Sequence, residues 1–261
     1  MLPTVSDLER IVLRLLNISY SDSSHNDLLF VRRVYAEGIQ KYVDRLSALG
    51  FGGKEIVLDA GCGFGQWSLA LSLLNDCVES CDVSPVRVQF LREVAVLYGR
   101  NNITAQVCPV EVMPYPDSSF DAVFCYGTIF LTPWRKSLAE LLRVLKPGGL
   151  LYVNANGLGW YIFLWDKEYN KADDYDPKAI AARAFVDTLA YERHGVYEPG
   201  MNLLIDPEDL KEQLLALSFD HIRIAGEGQL HLDHSVPAPI PFFHAEYKSQ
   251  LGVYEIVASK Q

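Results

Sequence analysis

The sequence lacks the features that mark several common classes of protein. No apolar run approaches the roughly 20 residues needed to cross a bilayer, and the amino terminus lacks the basic, apolar and small-residue succession of a signal peptide. Basic residues are outnumbered, because 23 lysines and arginines stand against 33 acids and give a formal net charge of -10. No basic patch offsets this acidity, which disfavours a nucleic-acid partner. We therefore expect a cytoplasmic protein with no membrane span.

The five cysteines form neither a metal-binding pattern nor a disulfide framework. Cys77 and Cys81 are four residues apart, but no second pair or histidine cluster completes a zinc site. His231 and His234, with Asp233 between them, also provide too few ligands, so we predict no metal. Buried thiols in a reducing compartment are the simplest interpretation, and they agree with a cytoplasmic location.

Short apolar runs alternate with helical patterns along most of the chain. Apolar residues make up 49% of the 261 residues, enough for one sizeable core. The predicted strands cover residues 55–60, 78–83, 103–108, 120–125, 150–154, 219–225 and 253–258. Strands that alternate with helices at this spacing predict a doubly wound α/β fold with a mostly parallel seven-stranded sheet.

Four segments are predicted along the chain. They are an N-terminal helical segment (1–50), a core (51–157), an inserted helical cap (158–205) and a C-terminal completion of the core sheet (206–261). Ser6 and Glu9 have the spacing of a capping box, and a long helix is expected over about residues 27–49. Asp176-Pro177 predicts the start of a helix within the cap.

The most informative segment is a glycine-rich turn directly after the first predicted strand. Gly61, Gly63 and Gly65 allow positive φ and let the backbone approach a ligand closely. Their G-x-G-x-G spacing differs from the G-x-G-x-x-G of the dinucleotide fingerprint. Asp59 precedes the first glycine by two residues, where it would repel a pyrophosphate. It would suit a ligand that carries positive charge.

A second acid, Asp82, ends the next predicted strand. A carboxylate at this position can accept hydrogen bonds from both hydroxyls of a ribose. Because NAD-dependent enzymes use the same device, Asp82 alone does not discriminate between cofactors. Asp59 favours S-adenosylmethionine (SAM), which carries a sulfonium and an α-ammonium group.

Four sequence blocks together resemble class I SAM-dependent methyltransferases, in particular the ubiquinone-biosynthesis and small-molecule group. They are the glycine turn, Asp-Val-Ser-Pro at 82–85, Met-Pro-Tyr-Pro-Asp-Ser-Ser-Phe-Asp at 113–121, and Leu-Leu-Arg-Val-Leu-Lys-Pro-Gly-Gly at 141–149. They occur in the order that the family shows. The resemblance implies a Rossmann-like fold, an enzyme and SAM as the cofactor.

The resemblance also implies roles for individual residues. The glycine turn would hold the methionine end of SAM, and Asp82 would bind its ribose. Residues at the ends of the second and third predicted strands would contact the adenine, and residues at the end of the fourth would line the side where the methyl group leaves. The implied cofactor-binding residues are Asp59, Ala60, Gly61, Cys62, Gly63, Asp82, Val83, Val110, Glu111, Cys125 and Tyr126. Where relatives often carry an acid that faces the adenine amino group, this chain has Pro109.

Methyl transfer is a direct displacement that depends on alignment, so no catalytic residue is required. If a base is used, the candidates are His231, His234, His194 and Tyr126. The aromatic stretch that contains Trp160, Tyr161, Phe163 and Trp165, together with Tyr20, predicts a lid over an apolar or ring-bearing acceptor. The same rings also fit the core of the inserted helices or a contact with a membrane surface.

The favoured function is transfer of a methyl group to an O, N or C atom of a small-molecule acceptor. Three alternatives stay open: a protein or RNA acceptor, a non-catalytic SAM-binding or partner-binding module, and a nicotinamide-dependent oxidoreductase. Cys125-Tyr126-Gly127-Thr128 stands where enzymes that methylate DNA amino groups carry Asn/Asp-Pro-Pro-Tyr/Phe, which argues against that branch. The sequence names neither the acceptor nor the oligomeric state.

Overall fold

The computed structural model describes residues 3–15, 23–172 and 175–261, so the lid prediction for Tyr20 lies outside the described residues. The described α-helices are α1 Val5–Leu15, α2 Ser23–Tyr35, α3 Gln40–Ala48, α4 Gln66–Leu74, α5 Pro85–Leu97, α6 Trp134–Val144, α7 Leu158–Lys167, α8 Pro177–His194 and α9 Pro207–Ala216. The strands are β1 Ile56–Ala60, β2 Cys77–Asp82, β3 Ile103–Val107, β4 Phe120–Cys125, β5 Leu145–Asn156, β6 Phe219–Gly226, β7 Glu246–Tyr247, β8 Gln250–Leu251 and β9 Val253–Lys260. A short 3-10 helix, Ile129–Leu131, follows β4.

Seven strands form one sheet in the order β3-β2-β1-β4-β5-β9-β6. Strands β1 to β5 pair in parallel, and β9 runs antiparallel to both β5 and β6. The predicted Rossmann-like, mostly parallel seven-stranded fold is therefore confirmed. The strand order reverses between β1 and β4, and ligands of open α/β sheets bind at the carboxyl ends of the strands at such a reversal.

Side-chain caps fix helix starts, including the predicted one at Asp176. Ser84 accepts a hydrogen bond from the Arg87 N–H before α5, and Asp176 accepts one from the Lys178 N–H before α8. The predicted capping box at Ser6 and Glu9 is wrong. In the structure Thr4 and Asp7 exchange the two capping hydrogen bonds, because α1 begins one residue before Ser6.

The single helix predicted over residues 27–49 is also wrong. The chain forms two helices, α2 and α3, separated by a turn in which Gly38 has φ +73°. The Gly38 N–H donates to the Tyr35 carbonyl at 3.0 Å, which ends α2. A glycine adopts this left-handed conformation without strain, so the apolar periodicity continues across a real break.

Apolar side chains pack in two layers on the two faces of the sheet. One layer joins the sheet to α6, α8 and α9, and the other joins it to the helices α1 to α5. Among the helices of the described ranges, none has both the length and the apolar character that a bilayer crossing requires. Carboxylates lie at the carboxyl ends of β1 and β2, where Asp59 and Asp82 stand.

A long irregular segment, residues 227–245, connects β6 to the hairpin β7–β8. It leaves the carboxyl edge of the sheet where the Glu227 N–H donates to the Val253 carbonyl at 2.9 Å. It then reaches the end of α3, where the N–H groups of Leu232 and Asp233 donate to the Ala48 carbonyl. We call it the connecting segment.

Candidate functional site

The glycine turn after β1 is held against β2 by its own backbone. The N–H groups of Gly61 and Cys62 both donate to the Cys81 carbonyl at 2.8 Å. A β-carbon on Gly61, whose φ is +79°, would lie 2.1 Å from the Thr128 Oγ1. A β-carbon on Gly63 would have no atom within 4 Å, so the backbone there has an open side. The turn therefore fits tightly against the end of β4 and keeps a face that a ligand can approach.

Asp82 crosses from the end of β2 to the glycine turn. Its Oδ2 accepts a hydrogen bond from the Gly63 N–H at 3.0 Å, and its Oδ1 accepts one from the Ser84 N–H at 2.9 Å. Each carboxylate oxygen has a second acceptor position. The side chain is thus fixed in place and can still accept from a pair of ligand hydroxyls.

Asp59 is buried beneath the turn, with 1% of its surface exposed. Its Oδ2 accepts a hydrogen bond from the Ser68 hydroxyl at 2.5 Å, and Ser80 in turn donates to the Ser68 oxygen. Burial raises the pKa of the Asp59 carboxyl to about 7, and the charge of Asp82 also raises it, while the bond from Ser68 lowers it. A cation bound beside this carboxyl would favour its ionised form.

The residues predicted to face an adenine lie around the ends of β2 and β3. Val83 is exposed, with 66% of its surface accessible, whereas the Val110 side chain is buried in the core. A contact from Val110 to a ligand would therefore come from its backbone. Glu111 is half-buried in the same turn, which closes where the Val112 N–H donates to the Pro109 carbonyl.

The residues after β4 lie directly against the glycine turn. The Thr128 hydroxyl lies 3.3 Å from the Gly61 carbonyl and 3.2 Å from the Tyr126 carbonyl. The Gly127 N–H donates to the buried Asn154 side chain at 2.6 Å. Cys125 is buried, which raises the pKa of its thiol. The structure thus brings the predicted methionine and methyl sides together, and it adds Thr128 and Asn154, which the sequence analysis missed.

Tyr126 continues from this edge into a buried ion cluster that the sequence analysis also missed. The Tyr126 hydroxyl donates to Glu227 Oε1 at 2.9 Å. Arg45 contacts Glu227 at 2.7 Å and Glu255 at 2.5 Å, and none of the three side chains exposes more than 1% of its surface. Burial raises the pKa of the Glu227 carboxyl, and Arg45 opposes that shift. We call Arg45, Glu227 and Glu255 the ion cluster.

The histidine candidates lie in two other places. The Nε2 of His231 lies 2.9 Å from the Val236 carbonyl, and its ring is 4.6 Å from that of His234. The part of the connecting segment between them is anchored at the end of α3, which leads to the amino end of β1. His194 is the exposed last residue of α8. Of the four candidate bases, Tyr126 is the one that adjoins the glycine turn through Thr128.

The aromatic stretch in α7 divides between two environments. Tyr161 is fully buried, and its hydroxyl donates to the Asn202 side chain at 2.7 Å, so it belongs to the core. The rings of Trp160 and Phe163 instead contact aromatic rings that lie outside α7, at centroid distances of 4.5 to 6.1 Å. Trp165 is half exposed. This ring group consists of Trp160, Phe163, Tyr169, Phe243, His244 and Tyr247.

Comparison with known proteins matches the part of the chain that carries the glycine turn. Residues 57–149 match the model of a family described as a methyltransferase domain, about a third of the chain. The demethylmenaquinone methyltransferase of Tropheryma whipplei is 35% identical over 108 residues, which cover 40% of this chain and 43% of that protein. The chain spans less than half the length of the curated relatives that it matches.

Solved structures extend the similarity of the fold to nearly the whole chain. A Thermotoga maritima protein, described as a SAM-dependent methyltransferase and possible histamine N-methyltransferase, has a TM-score of 0.55 at 18% identity and covers 97% of this chain and 99% of its own. The cyclase SpnF has a TM-score of 0.57 at 19% identity, with 100% and 97% covered. The predicted resemblance to class I SAM-dependent methyltransferases is confirmed over the matched residues.

Proposed function

We propose, from a core that belongs to the methyltransferase domain family, that this chain binds SAM and transfers its methyl group to a small molecule. The observation that carries the proposal is the position of Asp82. Its carboxylate is fixed by the Gly63 and Ser84 N–H groups and keeps acceptor positions free for two hydroxyls. A ribose provides such a pair of hydroxyls.

The residues around the turn fit this cofactor chemically. The open side of Gly63 lets a ligand reach the backbone, and the carboxyl of Asp59 suits a cationic group. The side-chain oxygen of Gln66, the first residue of α4, is buried and has no hydrogen-bond partner within the described ranges. A ligand that brings hydrogen-bond donors and positive charge to this turn would satisfy the Gln66 oxygen and the Asp59 carboxyl.

When bound, SAM supplies a methyl group already activated by its sulfonium. The chain's own contribution is then to hold the cofactor and to exclude water. Asp82 orients the ribose, Asp59 favours the cationic end, and Cys125 and Tyr126 border the side that faces the acceptor. Because the Tyr126 hydroxyl already donates to Glu227, we propose that the reaction depends on alignment rather than on a free base.

A small-molecule acceptor is the finer part of the proposal. The net charge of -10 opposes binding of RNA, and the ring group offers apolar, aromatic surface to a compact acceptor. We also propose a cytoplasmic location, which is supported by five cysteines that are all free.

A second candidate is a chain that binds SAM without transferring its methyl group. Pro109 favours it, because proline offers neither a side-chain acceptor nor an N–H where relatives often carry an acid. The same fold also occurs in the cyclase SpnF, so the fold does not decide the reaction.

The first test is calorimetric titration with SAM and, separately, with NAD. We expect SAM to bind with micromolar affinity and NAD not to bind. A panel of small phenols, amines and carboxylic acids, followed by detection of S-adenosylhomocysteine, then separates the two candidates. Absence of SAM binding contradicts both of them, and binding without any product supports the second.

A further inference from the structure

The Glu227 carboxylate is surrounded by hydrogen-bond donors. Its Oε1 accepts from Tyr126 at 2.9 Å and contacts Arg45 at 2.7 Å. Its Oε2 accepts from the N–H groups of Phe242 at 2.7 Å and Phe243 at 3.2 Å. The side chain is fully buried, so each of these contacts is made in the absence of competing water.

Apart from Arg45 in α3, these groups come from two parts of the molecule that the chain does not join directly. Tyr126 lies after β4, where Thr128 links its carbonyl to that of Gly61 in the glycine turn. Phe242 and Phe243 lie at the end of the connecting segment, and the Phe243 ring is 5.5 Å from the Trp160 ring in α7. One carboxylate therefore connects the predicted methyl side to the ring group.

We propose that Glu227 is a positioning residue for the methyl-transfer site. It fixes the Tyr126 side chain and the Phe242–Phe243 backbone in one arrangement without touching cofactor or acceptor. This inference rests on the proposed function, because it takes SAM to be the ligand beside Tyr126. The effect of Glu227 on SAM is transmitted through the hydroxyl of Tyr126.

Glu255 provides a matched control within the same ion cluster. It shares Arg45 with Glu227 and is equally buried. Its other partners are the Tyr152 hydroxyl and the Leu230 N–H, and neither belongs to the predicted site. Substitution of either glutamate removes a charge that is paired with Arg45. Only substitution of Glu227 also disturbs groups that adjoin the predicted site.

Glutamine is the informative substitution at position 227. It has the same shape, but it replaces one acceptor oxygen with an NH2 group. Because Tyr126, Phe242 and Phe243 donate to this side chain and the Arg45 cation contacts it, either orientation of the amide places its NH2 group against a donor or a cation. At least one of the held groups must then move.

The experiment is calorimetric titration with SAM of the unaltered chain and of the variants Glu227→Gln, Glu255→Gln, Tyr126→Phe and the double variant Glu227→Gln/Tyr126→Phe. We expect Glu227→Gln and Tyr126→Phe each to weaken SAM binding about tenfold, as for the loss of one hydrogen bond to a charged group. The double variant should bind no more weakly than Glu227→Gln, because both changes remove the same hydrogen bond. Glu255→Gln should stay within about twofold of the unaltered chain.

The outcomes separate this inference from the proposed function. If the unaltered chain does not bind SAM, the proposed function is wrong and the inference with it. If it binds SAM and Glu227→Gln binds as well as Glu255→Gln, Glu227 is structural only. If Glu227→Gln does not fold, Tyr126→Phe decides, since its ring keeps the packing on Phe124 and Trp67; unchanged affinity of that variant overturns the inference.

Discussion

Asp82 is the residue whose substitution tests the cofactor site most directly. Asp82→Ala removes the proposed acceptor of the ribose hydroxyls, and we expect SAM binding to weaken by at least about tenfold. Asp121→Ala is the matched control, because Asp121 also accepts from a backbone N–H but lies at the amino end of β4. Calorimetry with SAM measures both. Equal affinities of the two variants would contradict the ribose role, provided that both melt cooperatively.

Asp59 predicts a pH dependence of the same binding. Because burial raises the pKa of its carboxyl to about 7, the group is protonated below that pH in the free protein. A cationic ligand favours the ionised form, so affinity for SAM should rise roughly tenfold between about pH 5.5 and about pH 7. Titrations at these pH values check the sign.

Asp59→Asn is the control for that dependence. An amide oxygen still accepts from the Ser68 hydroxyl but cannot ionise. The variant should bind SAM weakly and equally across the range. A pH profile that the variant shares with the unaltered chain would assign the titration to another group.

At the scale of single residues, the sequence predicted the glycine turn and Asp82 but not the partners that hold them. Glycine spacing and acids at strand ends are local signals. Thr128 and Asn154 become visible only when β4 and β5 lie side by side. Glu255 did leave a signal, because it is a charged residue within the apolar first part of β9, residues 253–258, and a buried charge needs a partner.

At the scale of elements, the strands of the seven-stranded sheet were predictable because short runs, most of them rich in β-branched or aromatic residues, lie between turns. The two-residue strands β7 and β8 were not predicted. The break between α2 and α3 was not, since a single glycine conformation ends the helix within a continuous apolar pattern. The path of the connecting segment depends on contacts with α3 that are distant in sequence. No local pattern encodes those contacts.

The ion cluster predicts how much the contact between α3 and the C-terminal part of the chain contributes to the free energy of unfolding. Arg45→Met leaves Glu227 and Glu255 without their cation, and we expect a loss of about 3 to 5 kcal/mol in the free energy of unfolding. Urea denaturation measures it. Arg135→Met removes an ion pair with Glu192 near the surface and should cost about 1 kcal/mol or less. Similar losses for the two variants would show that the cluster adds little.

At the scale of the whole molecule, the candidate site lies where the strand order reverses. Segments outside the matched residues contact its neighbourhood: the Tyr35 hydroxyl donates to the Phe64 carbonyl, and Glu227 accepts from Tyr126. We propose that the N-terminal helical segment (1–50), the cap (158–205) and the C-terminal residues (206–261) determine which acceptor is used. Core residues 51–157 hold the cofactor in this proposal. The family match lies within the core, at residues 57–149, and stops short of these segments.

Trp160→Ala tests whether the ring group serves the acceptor or only the core of the cap. We expect SAM affinity to stay within about twofold and methyl transfer to fall at least about tenfold, since the ring that contacts Phe243 is lost. Trp165→Ala, on the same helix but half exposed, should leave both unchanged. Turnover with an acceptor from the panel measures the effect. Full turnover of Trp160→Ala would assign the ring group to the core.

The place of β9 between β5 and β6 has a consequence for biosynthesis. As the nascent chain leaves the ribosome, β1 to β5 can pair among themselves, but β6 has no partner until β9 emerges. Until then β5 is an open edge, with unpaired N–H and carbonyl groups that can recruit another chain. That edge is therefore covered only when β9, the last strand of the sheet to be synthesised, pairs with it. Substitutions in β9 should reduce soluble yield more than their effect on equilibrium stability implies.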